Sequence, residues 1–132
     1  MSHTYIPAAL RRLVAERAQY RCEYCGIHEA DTAFGCQVDH IIAEKHRGRT
    51  DEANLAYACG FCNQNKGSDI ASILSPDAPE IIRFFHPRRD IWTEHFHFND
   101  DFFIEGITDI GRVTAEIFGF NQPERVAERR LL

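Results

Sequence analysis

Cys22-Glu23-Tyr24-Cys25-Gly26 and Cys59-Gly60-Phe61-Cys62-Asn63 are two copies of one device, a pair of thiols with two residues between them in a tight turn. A pair at that spacing can occupy one edge of a metal tetrahedron, with Zn–S bonds of about 2.3 Å, and a second pair completes it. Gly26 can take the left-handed conformation that such a chelating turn requires. The 33 residues between the two pairs are enough for a loop and a hairpin that fold back. A redox pair needs only one Cys-x-x-Cys, at a helix start in a βαβ setting, so two pairs argue for metal over redox. The expectation is a closed structural zinc site on Cys22, Cys25, Cys59 and Cys62. The bland alternative is four unrelated buried thiols. Cys36 is left over.

The rest of the composition sets the class. The chain has 132 residues, 44% hydrophobic and 27% charged, which reads as one soluble globular domain over 1–132. No apolar run approaches the roughly 20 residues that span a bilayer. The first residues do not form a charged start followed by an apolar stretch, so no signal peptide is expected. The expected compartment is therefore the cytoplasm, without membrane association, where thiols stay reduced. A net charge of −5 argues against a protein that merely coats nucleic acid. Residues 1–67 balance eight Lys/Arg against eight Asp/Glu, while 68–132 hold seven against twelve. A nucleic-acid surface therefore belongs in the first half, with the cysteines.

The pattern along the chain is mixed. Residues 7–19 read as a helix, with Pro7 in its first turn and Leu10, Leu13 and Val14 on one side. Residues 34–42 read as a strand and 47–51 as a loop. A short apolar run, 55–58, leads into Cys59. Residues 63–70 suit a short helix, extending as far as 74. Ser75-Pro76-Asp77-Ala78-Pro79 is a clear break. Beyond it, 81–85 and 96–104 read as strands, and 109–118 as a helix capped by Asp109 and stopped by Gly119. Asn121 and Pro123 cap and open a last helix over 124–131. The expected class is α+β.

Three further features lie in or beside the cysteine loop: Asp39-His40 in the expected strand, Asn54 before Leu55, and Asn63 directly after Cys62. Each is weak alone, and Asn63 reads most simply as a helix cap. Together they carry more. A zinc that ties residue 22 to residue 62 brings the strand near the helix after Cys62. An Asp and an Asn oxygen can then hold a hard cation such as Mg²⁺. His40, with an ordinary pKa of about 6.5, suits a general base at neutral pH. Cation plus base is the constellation for phosphodiester hydrolysis.

Arg21-Cys22-Glu23-Tyr24-Cys25-Gly26, Val38-Asp39-His40-Ile41-Ile42, Asn54-Leu55 and Cys59-Gly60-Phe61-Cys62-Asn63-Gln64-Asn65-Lys66-Gly67 occur in an order that resembles zinc-bearing, four-cysteine HNH endonucleases of a small stand-alone bacterial type. The resemblance covers roughly residues 20–70. It implies a ββα-metal core over about 20–72, stapled by the four-cysteine zinc site. Additional helices and a C-terminal aromatic-rich α/β extension, about 80–132, complete the chain. It implies His40 as general base, Asp39 and Asn63 as ligands of the catalytic cation, and Asn54 as the residue that orients the active-site loop. The last position of the motif is Asn63 rather than His. An amide oxygen is a harder ligand than imidazole and favours Mg²⁺ or Mn²⁺.

The implied activity is hydrolysis of DNA, with RNA as the other candidate, by a metal-dependent HNH endonuclease. The rival is a non-catalytic zinc module that binds nucleic acid or protein. A double cut would need two sites and so a homodimer, and the acid excess points to a protein partner. Lys66 reads as a phosphate contact or as a solvated helix residue. Lys45, Arg47 and Arg49 read as phosphate contacts or as a solvated loop, with His46 as a spare base or ligand beside them. The aromatics Phe84, Phe85, Trp92, Phe96, Phe98, Phe102 and Phe103 read as core. His86, His95 and His97 lack a Cys or carboxylate partner that would make a metal site of them.

Overall fold

The computed structural model describes residues 5–132 and is α+β, with three small antiparallel sheets among its helices. The reading of the first residues as lacking a signal falls partly on 1–4, outside the described residues. The chain divides into two compact units with the boundary between Asp69 and Ile70.

In the first unit, α1 runs Ala8–Arg17 with Pro7 as its N-cap. Val14 is fully buried and joins Ile6, Leu55 and Tyr57 in a small core, against which Leu10 and Val38 pack. Leu13 is exposed instead. β1 (Cys36–His40) pairs antiparallel with β2 (Leu55–Cys59), setting Cys36 opposite Cys59 and His40 opposite Leu55. β2 is buried at every position, so its short apolar run is covered on both faces rather than half-exposed. α2 (Gly60–Lys66) follows β2 without a loop, with Cys59 as its N-cap residue. This corrects the helix expected over 63–70. The knuckle itself forms the first turn, so Asn63 lies inside the helix and is not its cap. The helix ends at Gly67.

The second unit is built on two hairpins and two longer helices. β3 (Ala71–Ser72) pairs with β4 (Ile82–Arg83), which excludes a helix reaching 74. α3 (Trp92–His95) leads into β5 (Phe96–Phe98), which pairs with β6 (Ile104–Gly106). The single strand expected over 96–104 is thus a hairpin. Asn99 makes its turn, its Oδ1 accepting from the amides of Asp101 (2.9 Å) and Phe103 (3.0 Å). α4 (Asp109–Ile117) is capped by Thr108, whose hydroxyl accepts from Gly111 N at 3.0 Å, and not by Asp109. α5 (Pro123–Arg130) starts after Gln122. Asn121 does not cap it; its amide bridges the N–H and C=O of Ile104 instead.

The core of this unit is aromatic. Phe84, Phe85, Phe96, Phe118 and Phe120 are buried, and Phe84–Phe118 and Phe85–Phe96 meet edge to face. Phe98 and Phe103 are not core as expected; both are exposed, on either side of the turn between β5 and β6. Arg125 and Arg129 are buried and donate to the carbonyls of Phe118 and Phe102, so their guanidiniums serve backbone acceptors rather than face solvent.

Candidate active site

Four thiols meet where the β1–β2 hairpin joins α2. Cys22 and Cys25 come from the loop after α1, Cys59 from the end of β2 and Cys62 from α2. All four are buried, and their Sγ atoms lie within 4.8 Å of one another. Cys25 Sγ and Cys59 Sγ are 3.7 Å apart. The edge of a tetrahedron with metal–sulfur bonds of about 2.3 Å is about 3.8 Å, so the spacing fits zinc. Gly26, at φ 83°, closes the first knuckle, and Cys25 N donates to Cys22 Sγ at 3.5 Å.

The electrostatics point the same way. Cys59 is held far below the ordinary thiol range because Cys22, Cys25 and Cys62 can all donate to it. Burial pushes Cys22 and Cys62 well up. Four thiols buried this close together disfavour ionising jointly, and a divalent cation among them would let all four ionise. Among the described residues these four form the one cluster of metal-ligating side chains. Cys36 stands apart from it, half-buried, with its thiol pushed up to about 12 by burial.

Beside this frame lies a cleft of about 540 Å³, lined by Asp39, His40, Asn63, Gln37 and Arg11 among others. Gln37 and Asp39 lie on the same face of β1. Asn63 Nδ2 donates to Gln37 Oε1 at 3.5 Å, which leaves Asn63 Oδ1 as an acceptor. Asp39 is 23% exposed, and burial pushes its carboxyl up while Lys66 and the His40 amide pull it down. A carboxylate at a cleft wall whose burial is only partly compensated suits a cation ligand.

Three side chains hold this geometry. Asn54 clamps the loop after β1: its Oδ1 accepts from Ile42 N (2.9 Å), and its Nδ2 donates to the carbonyls of Ile42 (2.9 Å) and Arg49 (2.8 Å). The clamp presses the chain together at Gly48, where a Cβ would fall 1.7 Å from the Ile42 oxygen. Thr50, on the clamped loop, places Oγ1 2.8 Å from His40 Nε2. His40 is 2% exposed, so that contact fixes a ring with little freedom.

Lys66, the third, matches neither expectation held for it. It is 3% exposed, neither solvated nor at the cleft surface. Its Nζ donates to the His40 carbonyl at 3.1 Å and lies 3.9 Å from Asp39 Oδ2. Burial pushes Lys66 down, as it pushes Asp39 up, and their attraction offsets only part of this. Lys66 therefore ties α2 to the end of β1.

The structure brings Asp39, His40 and Asn63 to one cleft and puts Asn54 behind it. Lys45, His46, Arg47 and Arg49 lie on the loop and do not line the cleft. In the second unit His95 Nδ1 bonds Thr108 Oγ1 at 2.7 Å, and neither His95 nor His97 belongs to a ligand cluster. Sequence reasoning missed Thr50, Gln37 and Arg11. The alternation of β1 could have given Gln37, two residues before Asp39; no spacing rule marks Thr50 or Arg11.

Residues 22–69 match the family model described as HNH endonuclease. That description supports a nuclease-type function for the segment. No match to a curated protein or to a solved structure was found. No helix among the described residues is long and apolar enough to cross a membrane.

Proposed function

Taking the HNH endonuclease match of residues 22–69 as premise, we propose that this chain is a metal-dependent endonuclease that hydrolyses phosphodiester bonds in DNA. Zinc on Cys22, Cys25, Cys59 and Cys62 serves as its frame. The observation that carries this reading is the convergence of Asp39, His40 and Asn63 on one cleft beside the four-cysteine site.

The residues divide the work by their chemistry. His40 Nε2 and Thr50 Oγ1 lie 2.8 Å apart; with Thr50 as the acceptor, Nδ1 carries the lone pair that takes a proton from the attacking water. Asp39 and the Oδ1 of Asn63 would hold a divalent cation, Mg²⁺ or Mn²⁺, which would supply positive charge for the phosphate and the departing oxygen. The water oxygen bonds to phosphorus, the bond to the leaving sugar oxygen breaks, and that oxygen is reprotonated from solvent. Asn54 and Lys66 are not among the residues that line the cleft. Asn54 fixes the loop that carries Thr50, and Lys66 fixes the His40 carbonyl.

Pure protein incubated with supercoiled plasmid, single-stranded DNA and RNA across Mg²⁺, Mn²⁺, Zn²⁺ and Ni²⁺ tests this. The expected outcome is plasmid cleavage with Mg²⁺ or Mn²⁺. His40→Ala should lower it by at least about 100-fold, the low end of general-base effects, with zinc content and circular dichroism unchanged. Undiminished cleavage by clean His40→Ala protein refutes the mechanism. A wild-type protein that binds nucleic acid but cleaves none of the three leaves the non-catalytic zinc module as the function.

A further inference from the structure

The cleft has a second wall that the 22–69 segment does not supply. Ile6, just before α1, and Arg11, within it, face the same space as Asp39, His40 and Asn63. Arg11 is exposed, and it is the one Lys or Arg among the described residues lining the cleft. The other nearby cation, Lys66, is buried on the Asp39 side and committed to the His40 carbonyl.

The Arg11 side chain is also oriented. Its Nε donates to the Ile6 carbonyl at 3.0 Å, which turns the guanidinium back over the start of its own helix. Among the described residues no carboxylate pairs with it, so both Nη groups remain available as donors. A planar guanidinium with two parallel donors matches two oxygens of one phosphate and suits a phosphodiester better than a carbonyl or a neutral sugar.

The chain's charge makes this single cation weigh more. Its first half balances acid with base, and its total is −5, so no broad basic field holds a polyanion in place. Lys45, Arg47 and Arg49 lie on the loop, outside the cleft lining.

We infer that Arg11 forms a phosphate-binding subsite of the cleft, gripping a backbone phosphate of the nucleic acid across from Asp39 and Asn63. This rests on the nuclease reading above and adds to it a residue outside the family-matched segment. The purely structural alternative is that Arg11 only caps the Ile6 carbonyl. The two differ in salt dependence, because each phosphate neutralised contributes about −0.9 to the slope of log K against log salt.

The experiment uses full-length His40→Ala protein, saturated with zinc and in Mg²⁺, with a fluorescein-labelled DNA duplex whose anisotropy reports binding. Arg11→Gln and Arg11→Lys are added in this background, and binding is followed from about 50 to about 200 mM salt. With a phosphate contact, Arg11→Gln weakens binding on the order of tenfold at low salt and makes the slope shallower by about 0.9. Over that salt range it then loses about threefold less affinity than the background does. Arg11→Lys keeps the slope, since its charge survives. If Arg11→Gln lowers only thermal stability and leaves the slope unchanged, the subsite is overturned while the nuclease reading stands. If the background binds no DNA at any salt, the nuclease reading fails and takes this inference with it.

Discussion

Asn54→Ala removes the clamp that shapes the loop between β1 and β2. Three hydrogen bonds are lost, at 2.9, 2.9 and 2.8 Å. A net intramolecular hydrogen bond contributes about 1 kcal/mol. Asn54 is half-buried and its Arg49 contact is exposed, so water recovers part of the loss. The expected destabilisation is about 2 kcal/mol. Asn54→Asp should be worse, because its second oxygen would face the Ile42 and Arg49 carbonyls that now accept from Nδ2. Gly48→Ala attacks the same clamp from the other side, its Cβ falling 1.7 Å from the Ile42 oxygen and 2.8 Å from Asn54 Nδ2. Because both changes open one contact, their effects should not add. Urea unfolding of the zinc-saturated protein, followed by far-ultraviolet circular dichroism, measures all of this. Exchange of the Ile42 amide reports the clamp itself. If Asn54→Ala lies within about 0.5 kcal/mol of wild type, or if the double variant is additive, the clamp does not organise this loop.

Metal removal is a second test. Cys59→Ser should lose zinc and the structure of the first unit, since apparent zinc-binding energies of about 10–16 kcal/mol match or exceed the stability of a whole small domain; a soluble, zinc-free and equally stable variant sinks the zinc assignment. A third test uses pH in the second unit. Asp90 is pulled from 3.8 to about 2, first by its paired hydrogen bonds from Arg83 and then, against burial, by the His86 amide. A carboxyl depressed in the fold stabilises it above the unfolded pKa, and this contribution fades as pH falls from 3.8 toward about 2. Asp90→Asn should therefore flatten the acid dependence of Trp92 fluorescence in that window; an unchanged profile refutes the pairing.

The frame of the first unit was legible because metals demand fixed spacing. Four thiols can meet only if 22–25 and 59–62 come together, and the 33 residues between them are enough for a loop and a hairpin that fold back. Asp39, His40 and Asn63 could be singled out partly for the same reason, since the frame brings their elements near one another, while Asn54 and the roles of all four came from the resemblance to HNH endonucleases. What failed depended on contacts between residues far apart in sequence. Lys66 reads as a surface lysine until its Nζ is seen under the His40 carbonyl, and Thr50 has no marker until the Asn54 clamp folds it onto the ring. The start of α2 was missed because the knuckle and the first helical turn are the same residues. In the second unit, the aromatic run 96–104 hid a turn. Asn99-Asp100-Asp101 is the punctuation, and the side-chain cap on Phe103 N is what makes it decisive.

Cys62 and Asn63 are consecutive residues of α2. The helix turns about 100° per residue, so one side chain goes to the thiol cluster and the next to the cleft wall. The residue on the cage and the residue on the cleft wall are thus joined by one peptide unit, about 3.8 Å between Cα atoms, with no loop between them to absorb error. One residue inserted between them would swing position 63 about 100° away from Asp39 while leaving the sulfur cage intact. The cysteine cage therefore acts as the datum from which the cleft is measured, and the reading frame of a single helical turn is its ruler.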